Sequence, residues 1–251
     1  MARRTAPKGV SESADLFGLA PDDPAAHGAE GHRNRMRARL LTAGPEALAD
    51  HEMLEMLLFL ALPRRDTKPI ARELLTRFGG FALVVTASPA ELRTIEGLGD
   101  AGIAALKLAH AAASRLLRGE LAVKPVINSW DALTGYLRAA FGHEKTEQFH
   151  VLFLDGRSRL IADEIMGRGT VNHAPVYPRE IARRALELHA TSVIMAHNHP
   201  SGSTDVSRDD VAMTQDVRRA LQPLSIGLYD HLIVTRETCV SMRRQGLLNE
   251  R

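Results

Sequence analysis

The sequence predicts an α/β protein in two parts, a small all-helical domain followed by a mixed α/β domain. Three observations carry this. Residues 32–118 repeat their apolar side chains at helical spacing. The pattern breaks at the short stretch Leu121-Ala122-Val123-Lys124-Pro125. Beyond it, strand-like apolar runs alternate with helical ones, which is the signature of a layered α/β unit.

Residues 1–30 are rich in Ala, Pro, Gly, Asp and Ser, with few large apolar groups. Such a segment buries too little surface to offset the entropy of ordering, so a disordered tail is expected. The helical domain is expected over 31–120. Pro45 precedes Glu46-Ala47-Leu48, and Asp50 to Leu60 carries Met53, Leu54, Met56, Leu57 and Leu58. Asp66 to Phe78 reads as the next helix, stopped by Gly79-Gly80. Ser88 with Pro89 behind it starts another, running to Gly97. A last helix covers Ala101 to Leu117 and stops at Gly119. A linker follows at 121–126, and the second domain spans 127–249.

In that domain Phe149 to Leu154 is strand-like and ends at the turn Asp155-Gly156, so Leu160 to Met166 pairs with it as a hairpin. Pro178 opens a helix reaching His189. Ser192 to His197 is a short apolar run consistent with a buried strand, Ser207 to Leu221 is helical, and Tyr229 to Thr235 is a strand.

Composition excludes several classes. The chain has 251 residues, 45% hydrophobic and 25% charged, with a formal net charge of +2. These are ordinary values for a globular protein. Met53 to Leu62, the longest apolar stretch, carries Glu55 and is half the ~20 residues a bilayer requires, so no membrane span is expected. The N-terminus has arginines without an apolar core, which is not a secretory signal. A single cysteine, Cys239, excludes an internal disulfide framework and a Cys-rich zinc site, and favours a cytoplasmic setting. The middle segment is mildly basic. Arg33, Arg35, Arg37 and Arg39 cluster there, either as a phosphate-facing patch or as a solvated helix face.

The sharpest feature is His197-Asn198-His199-Pro200-Ser201-Gly202, followed by Ser207-Arg208-Asp209-Asp210. On a strand, residues i and i+2 share a face, so His197 and His199 can offer two imidazoles to one ion. Pro200 and Gly202 turn the chain back, and the first turn of the next helix carries Asp210. Two histidines and a carboxylate leave a fourth tetrahedral position open, as catalytic zinc sites do. Taken alone, His-x-His is weak, and Ser-x-x-Asp is equally a helix capping box. A nucleobase deaminase would need His-x-Glu with a Pro-Cys-x-x-Cys pair, and neither is present. His51-Glu52 starts a His-Glu-x-x-His pattern that no second histidine completes.

This stretch resembles the JAMM motif of the MPN (Mov34/JAB-type) metalloproteases, and the chain as a whole resembles the RadC family of bacteria, the UPF0758 group. Further matches are Glu147-Gln148-Phe149, Leu154-Asp155, Gly169-Thr170, Tyr177-Pro178-Arg179-Glu180 and Asp230-His231. Val206 departs from the proline common before the serine. The resemblance implies an MPN domain of cytidine-deaminase-like three-layer architecture, one Zn2+ per chain on His197, His199 and Asp210, and a peptide or isopeptide substrate. It also implies Glu147 as the glutamate that activates water and Ser207 as an oxyanion stabiliser; residue spacing alone does not select Glu147 over Glu144, Glu164 or Glu180. Asp230 and His231 are either partners of the ligands or a satisfied polar pair.

In the helical domain, Leu92 to Ala104 resembles a helix-hairpin-helix around Gly97-Leu98-Gly99. Such a turn presents backbone N–H groups to a DNA phosphate without reading sequence; it is equally an ordinary helical corner. A second functional class therefore stands beside the hydrolase: a DNA-associated, repair- or recombination-linked protein whose metal site is structural or vestigial.

Overall fold

The computed structural model describes residues 29–169 and 176–248. The expected tail lies outside them, apart from the first two residues of helix α1.

The helical part comprises α1 (Ala29–Ala43), α2 (Asp50–Ala61), α3 (Lys68–Phe78), α4 (Phe81–Thr86), α5 (Pro89–Leu92) and α6 (Gly99–Val123). Its core gathers Leu54 and Leu58 of α2, Ile70 and Leu74 of α3, Val84 of α4, Leu92 of α5, and Ile103 and Leu106 of α6. The α3 stop at Gly79 is left-handed, φ 92°, as a glycine C-cap requires. Ser88 caps α5 through a reciprocal box with Glu91. That helix is shorter than expected. It ends at Leu92 because the chain must turn through Gly97 (φ 78°) and Gly99 (φ 60°) to enter α6.

The arginine cluster of α1 fastens that helix to α2. The guanidinium groups of Arg33 and Arg37 each lie 5.1 Å from the Phe59 ring centroid, and Arg39 holds Glu52 at 2.7 Å. Between them Met36 is buried.

Helix α6 corrects the expected boundary. It does not stop at Gly119 but continues to Val123, taking the first three residues of the expected linker. Leu121 explains this: it is buried against the second domain, so the last turn has a hydrophobic reason to persist.

The second domain carries α7 (Trp130–Phe141), β1 (Gln148–Leu154), β2 (Leu160–Arg168), α8 (Pro178–Glu187), β3 (Ser192–Asn198), α9 (Arg208–Leu221), β4 (Gly227–Val234) and β5 (Cys239–Ser241). Helix α7 and strand β5 add to the elements expected from sequence. The strands form one sheet in the order β2-β1-β3-β4-β5, antiparallel except for the β3/β4 pair.

Alternation along the central strands splits their side chains between two cores. Leu152, Leu154, Ile194, Ala196, Leu232 and Val234 face α7, where they meet Leu133, Leu137 and Phe141. Phe149, Val151, Phe153, Val193 and Met195 face α8 and α9, where they meet Ile181, Ala185, Val217 and Leu221. The result is a three-layer α/β domain preceded by helices. Position 197 falls on the α9 face and position 198 on the α7 face, which decides everything at the site.

Candidate metal centre

Strand β3 delivers His197 at its buried end, opposite Phe149 of β1 and Ile233 of β4. The strand proper ends at Asn198, but His199 N–H still donates to Val234 O at 2.9 Å, so the second histidine keeps the alternation. His199 O then accepts from Gly202 N–H at 3.0 Å, closing the turn that sends the chain towards α9.

Helix α9 begins with a reciprocal cap. Ser207 Oγ accepts from Asp210 N–H at 3.0 Å, while Asp210 Oδ2 accepts from Ser207 N–H at 2.9 Å and Oγ–H at 2.6 Å. Both of these bonds to the side chain fall on Oδ2. Oδ1 lies 3.3 Å from His197 Nε2, and His197 Nε2 lies 2.9 Å from His199 Nε2. One ligand atom from each of the three residues falls within 4.8 Å of the others.

The proton positions follow from the surrounding acceptors. His199 Nδ1 is 2.9 Å from Ser203 O, a carbonyl that only accepts, so Nδ1 carries a hydrogen and, in the neutral ring, the lone pair lies on Nε2. Thr214 donates its hydroxyl hydrogen to Asp210 O, so at 2.6 Å it accepts from His231 Nδ1–H. His231 Nε2 is then free to accept from His197 Nδ1–H at 2.8 Å. That leaves Nε2 of His197 bare as well. Burial holds His197 down to about 4 and His231 well below 6.5, so both imidazoles are neutral near pH 7. Two imidazole Nε2 atoms and a carboxylate oxygen thus converge on one point. That donor set fits a divalent cation of borderline softness.

Glu147 immediately precedes β1 and is half-buried. Continuing the β1/β3 register by two residues from the Phe149–His197 pair sets it against His199. By strand alternation it points to the face that carries His197. Its carbonyl accepts from Gly169 N–H at 2.9 Å. Asp230 and His231 part company. His231 supports His197, whereas Asp230 Oδ1 accepts from the backbone N–H of His231 and Arg243, and Oδ2 from Ser241. Asp230 thus fastens the C-terminal segment. Two participants were not singled out from sequence, Thr214 and the Asn198 side chain. The one signal for Thr214 is its i+4 spacing from Asp210 on a helix.

The Gly97-Leu98-Gly99 turn lies far along the chain from this centre. Gly97 O accepts from the Arg65 guanidinium, and Asp100 sits 3.5 Å from Arg93.

Residues 127–247 match the RadC-like JAB domain family, and residues 31–104 match the UPF0758 N-terminal family. A UPF0758 protein of Rhodobacter capsulatus is 50% identical over 213 residues, covering 85% of this chain and 100% of the relative. The chain belongs to the UPF0758 family. A second UPF0758 protein, from Ruegeria pomeroyi, is 48% identical over 217 residues, 86% of this chain and 97% of its own. Within this UPF0758 chain, the RadC-like JAB match covers all five strands, His197, His199, Asp210 and Glu147. The UPF0758 N-terminal match ends inside α6. Among the described residues, no helix is long and apolar enough to cross a membrane.

Proposed function

We propose that this protein is a zinc-dependent metallohydrolase of the JAMM type, cleaving a peptide or isopeptide bond. The observation that carries this reading is the convergence of the His197 and His199 lone pairs on the Asp210 carboxylate. Their hydrogen-bond partners occupy both Nδ1 atoms and turn both Nε2 atoms towards the carboxylate. His197, His199 and Asp210 would hold a zinc ion, which would supply Lewis acidity and lower the pKa of a water towards ~7. Glu147 then takes a proton from the attacking water and passes it to the leaving nitrogen. Ser207 stands at the N-terminus of α9 with its hydroxyl hydrogen on Asp210 Oδ2 at 2.6 Å, and it would act as an oxyanion donor by turning that hydrogen from the carboxylate to the substrate.

The test is elemental analysis together with a peptide-library screen. Wild-type protein should carry near-stoichiometric zinc, lost in His199→Ala and Asp210→Ala, while Glu147→Ala keeps zinc and loses hydrolysis. Zinc-loaded protein that cleaves nothing across a broad library would reject the assignment.

A second reading has its own observation. The left-handed glycines at 97 and 99 leave the start of α6 exposed, as a non-specific DNA contact requires. Salt-sensitive retention of duplex DNA, lost on bulky substitution at Gly99, would support it. No retention at low salt would end it.

A further inference from the structure

Asn198 lies between the two histidines yet faces the opposite side of the sheet. It is fully buried. Its amide has one acceptor and two donors, and all three are used. Oδ1 accepts from Gln148 N–H at 2.7 Å, and Nδ2 donates to Glu144 O at 3.1 Å and Thr146 O at 3.2 Å. The amide orientation is fixed by these partners, since only N–H groups can serve the two carbonyls.

The partners bracket Glu147. Thr146 C=O belongs to the peptide unit before it, and Gln148 N–H to the unit after it. The two peptide planes that set the backbone direction of Glu147 are therefore both tied to one side chain. The 147–148 unit is also held from the β2 side, where Glu147 O accepts from Gly169 N–H at 2.9 Å. Residues 144–146 are exposed, Glu144 N–H returns to Phe141 O at 3.1 Å, and Lys145 reaches Glu91 in an exposed ion pair. Exposed pairs of that kind are worth at most about 1 kcal/mol. The three Asn198 hydrogen bonds, one buried and two part-buried, outweigh it.

The geometry points to Asn198 as a positioning residue that holds Glu147 in register with the two histidine ligands. The inference rests on the metallohydrolase reading above. The backbone carrying His197 and His199 and the backbone carrying Glu147 become one rigid unit through the residue between the ligands. Its effect runs through Glu147 and not through the metal ligands, which the β3/β4 ladder, Ser203 and His231 already hold.

The test uses full-length protein loaded with Co2+, read by its visible absorption. Asn198→Asp keeps the acceptor for Gln148 but loses the donor pair; Asn198→Ser is the milder second variant. Glu147→Gln should change the cobalt bands. Each Asn198 variant should reproduce at least half of that change, with wild-type cobalt stoichiometry. The Asn198→Asp/Glu147→Gln double variant should match Glu147→Gln alone, because non-additivity marks a shared path. Additive changes would place Asn198 on the histidines and overturn the inference. So would a spectrum that responds to Glu147→Gln but not to Asn198, or one blind to Glu147→Gln. Unfolding of both Asn198 variants would assign the residue to fold stability alone. Failure of wild-type protein to take up cobalt is a different result: it rejects the metal reading itself.

Discussion

His197 Nδ1 lies 2.8 Å from Nε2 of His231, a histidine with no exposed surface, and His231 in turn leans on Thr214. The pair fixes which nitrogen of His197 faces the centre. Partners of this kind typically set metal affinity by a factor of about 10–100. Substituting His231→Leu should therefore weaken zinc binding by roughly that factor, measured by competition with a chelator. Asp230→Asn, one residue away, should leave zinc affinity near wild type and lower the melting temperature. Its bonds go to the 241–243 segment.

Ser207 and Asp210 share a cap, so the serine orients the candidate ligand. Ser207→Ala should cost about 1 kcal/mol of stability in urea denaturation, the usual value for an N-cap. Zinc affinity should fall by less than in Asp210→Ala, because Oδ1 survives. A loss of hydrolysis larger than the loss of zinc occupancy explains would show the hydroxyl acting on the substrate as well.

The metal-free protein should lose stability in mild acid. Burial holds His197 at about 4 and His231 well below its ordinary 6.5. The unfolded chain therefore binds more protons than the folded one below pH 6.5, and stability falls as pH drops from 6.5 towards 4. It is fully present above that window. The His197 contribution is on the order of 3 kcal/mol. Urea midpoints at pH 7.5, 5.5 and 4.5 check the sign; a flat profile would mean the histidines are not buried in neutral form.

Two glycines of α6 should respond in opposite directions. A Cβ at Gly102 would stand 2.6 Å from Leu98 Cδ1 and 3.4 Å from Leu58 Cδ2, inside the helical core. Gly102→Ala should destabilise by about 1–3 kcal/mol through overpacking. At Gly119, in the same helix, nothing lies within 4 Å. Gly119→Ala should stabilise by about 0.5–1 kcal/mol, since only the backbone entropy changes. Thermal melts of the two variants give the comparison directly.

The reach of the sequence ended where contacts became non-local. The alternation of apolar runs determined the two-part fold class, and Ser88, Gly79 and Pro178 marked helix ends because caps and stops are made within a few residues. His197 and His199 are two apart, and Ser207 and Asp210 three apart, so the pattern of the candidate ligands lies in the chain itself. Helix α7 was readable in principle, with Leu133, Leu137 and Phe141 on one face. The tertiary structure alone decided that His231, 34 residues from His197, supplies its acceptor, and that Thr214, 17 residues from His231, completes the chain of donors. It also decided that Asn198 reaches Gln148, 50 residues away, and that Leu121 carries α6 past Gly119. Each depends on strand register and on which sheet face a helix covers. Long-range packing sets both, and a polar residue on a buried strand carries no local sign of the partner it will meet.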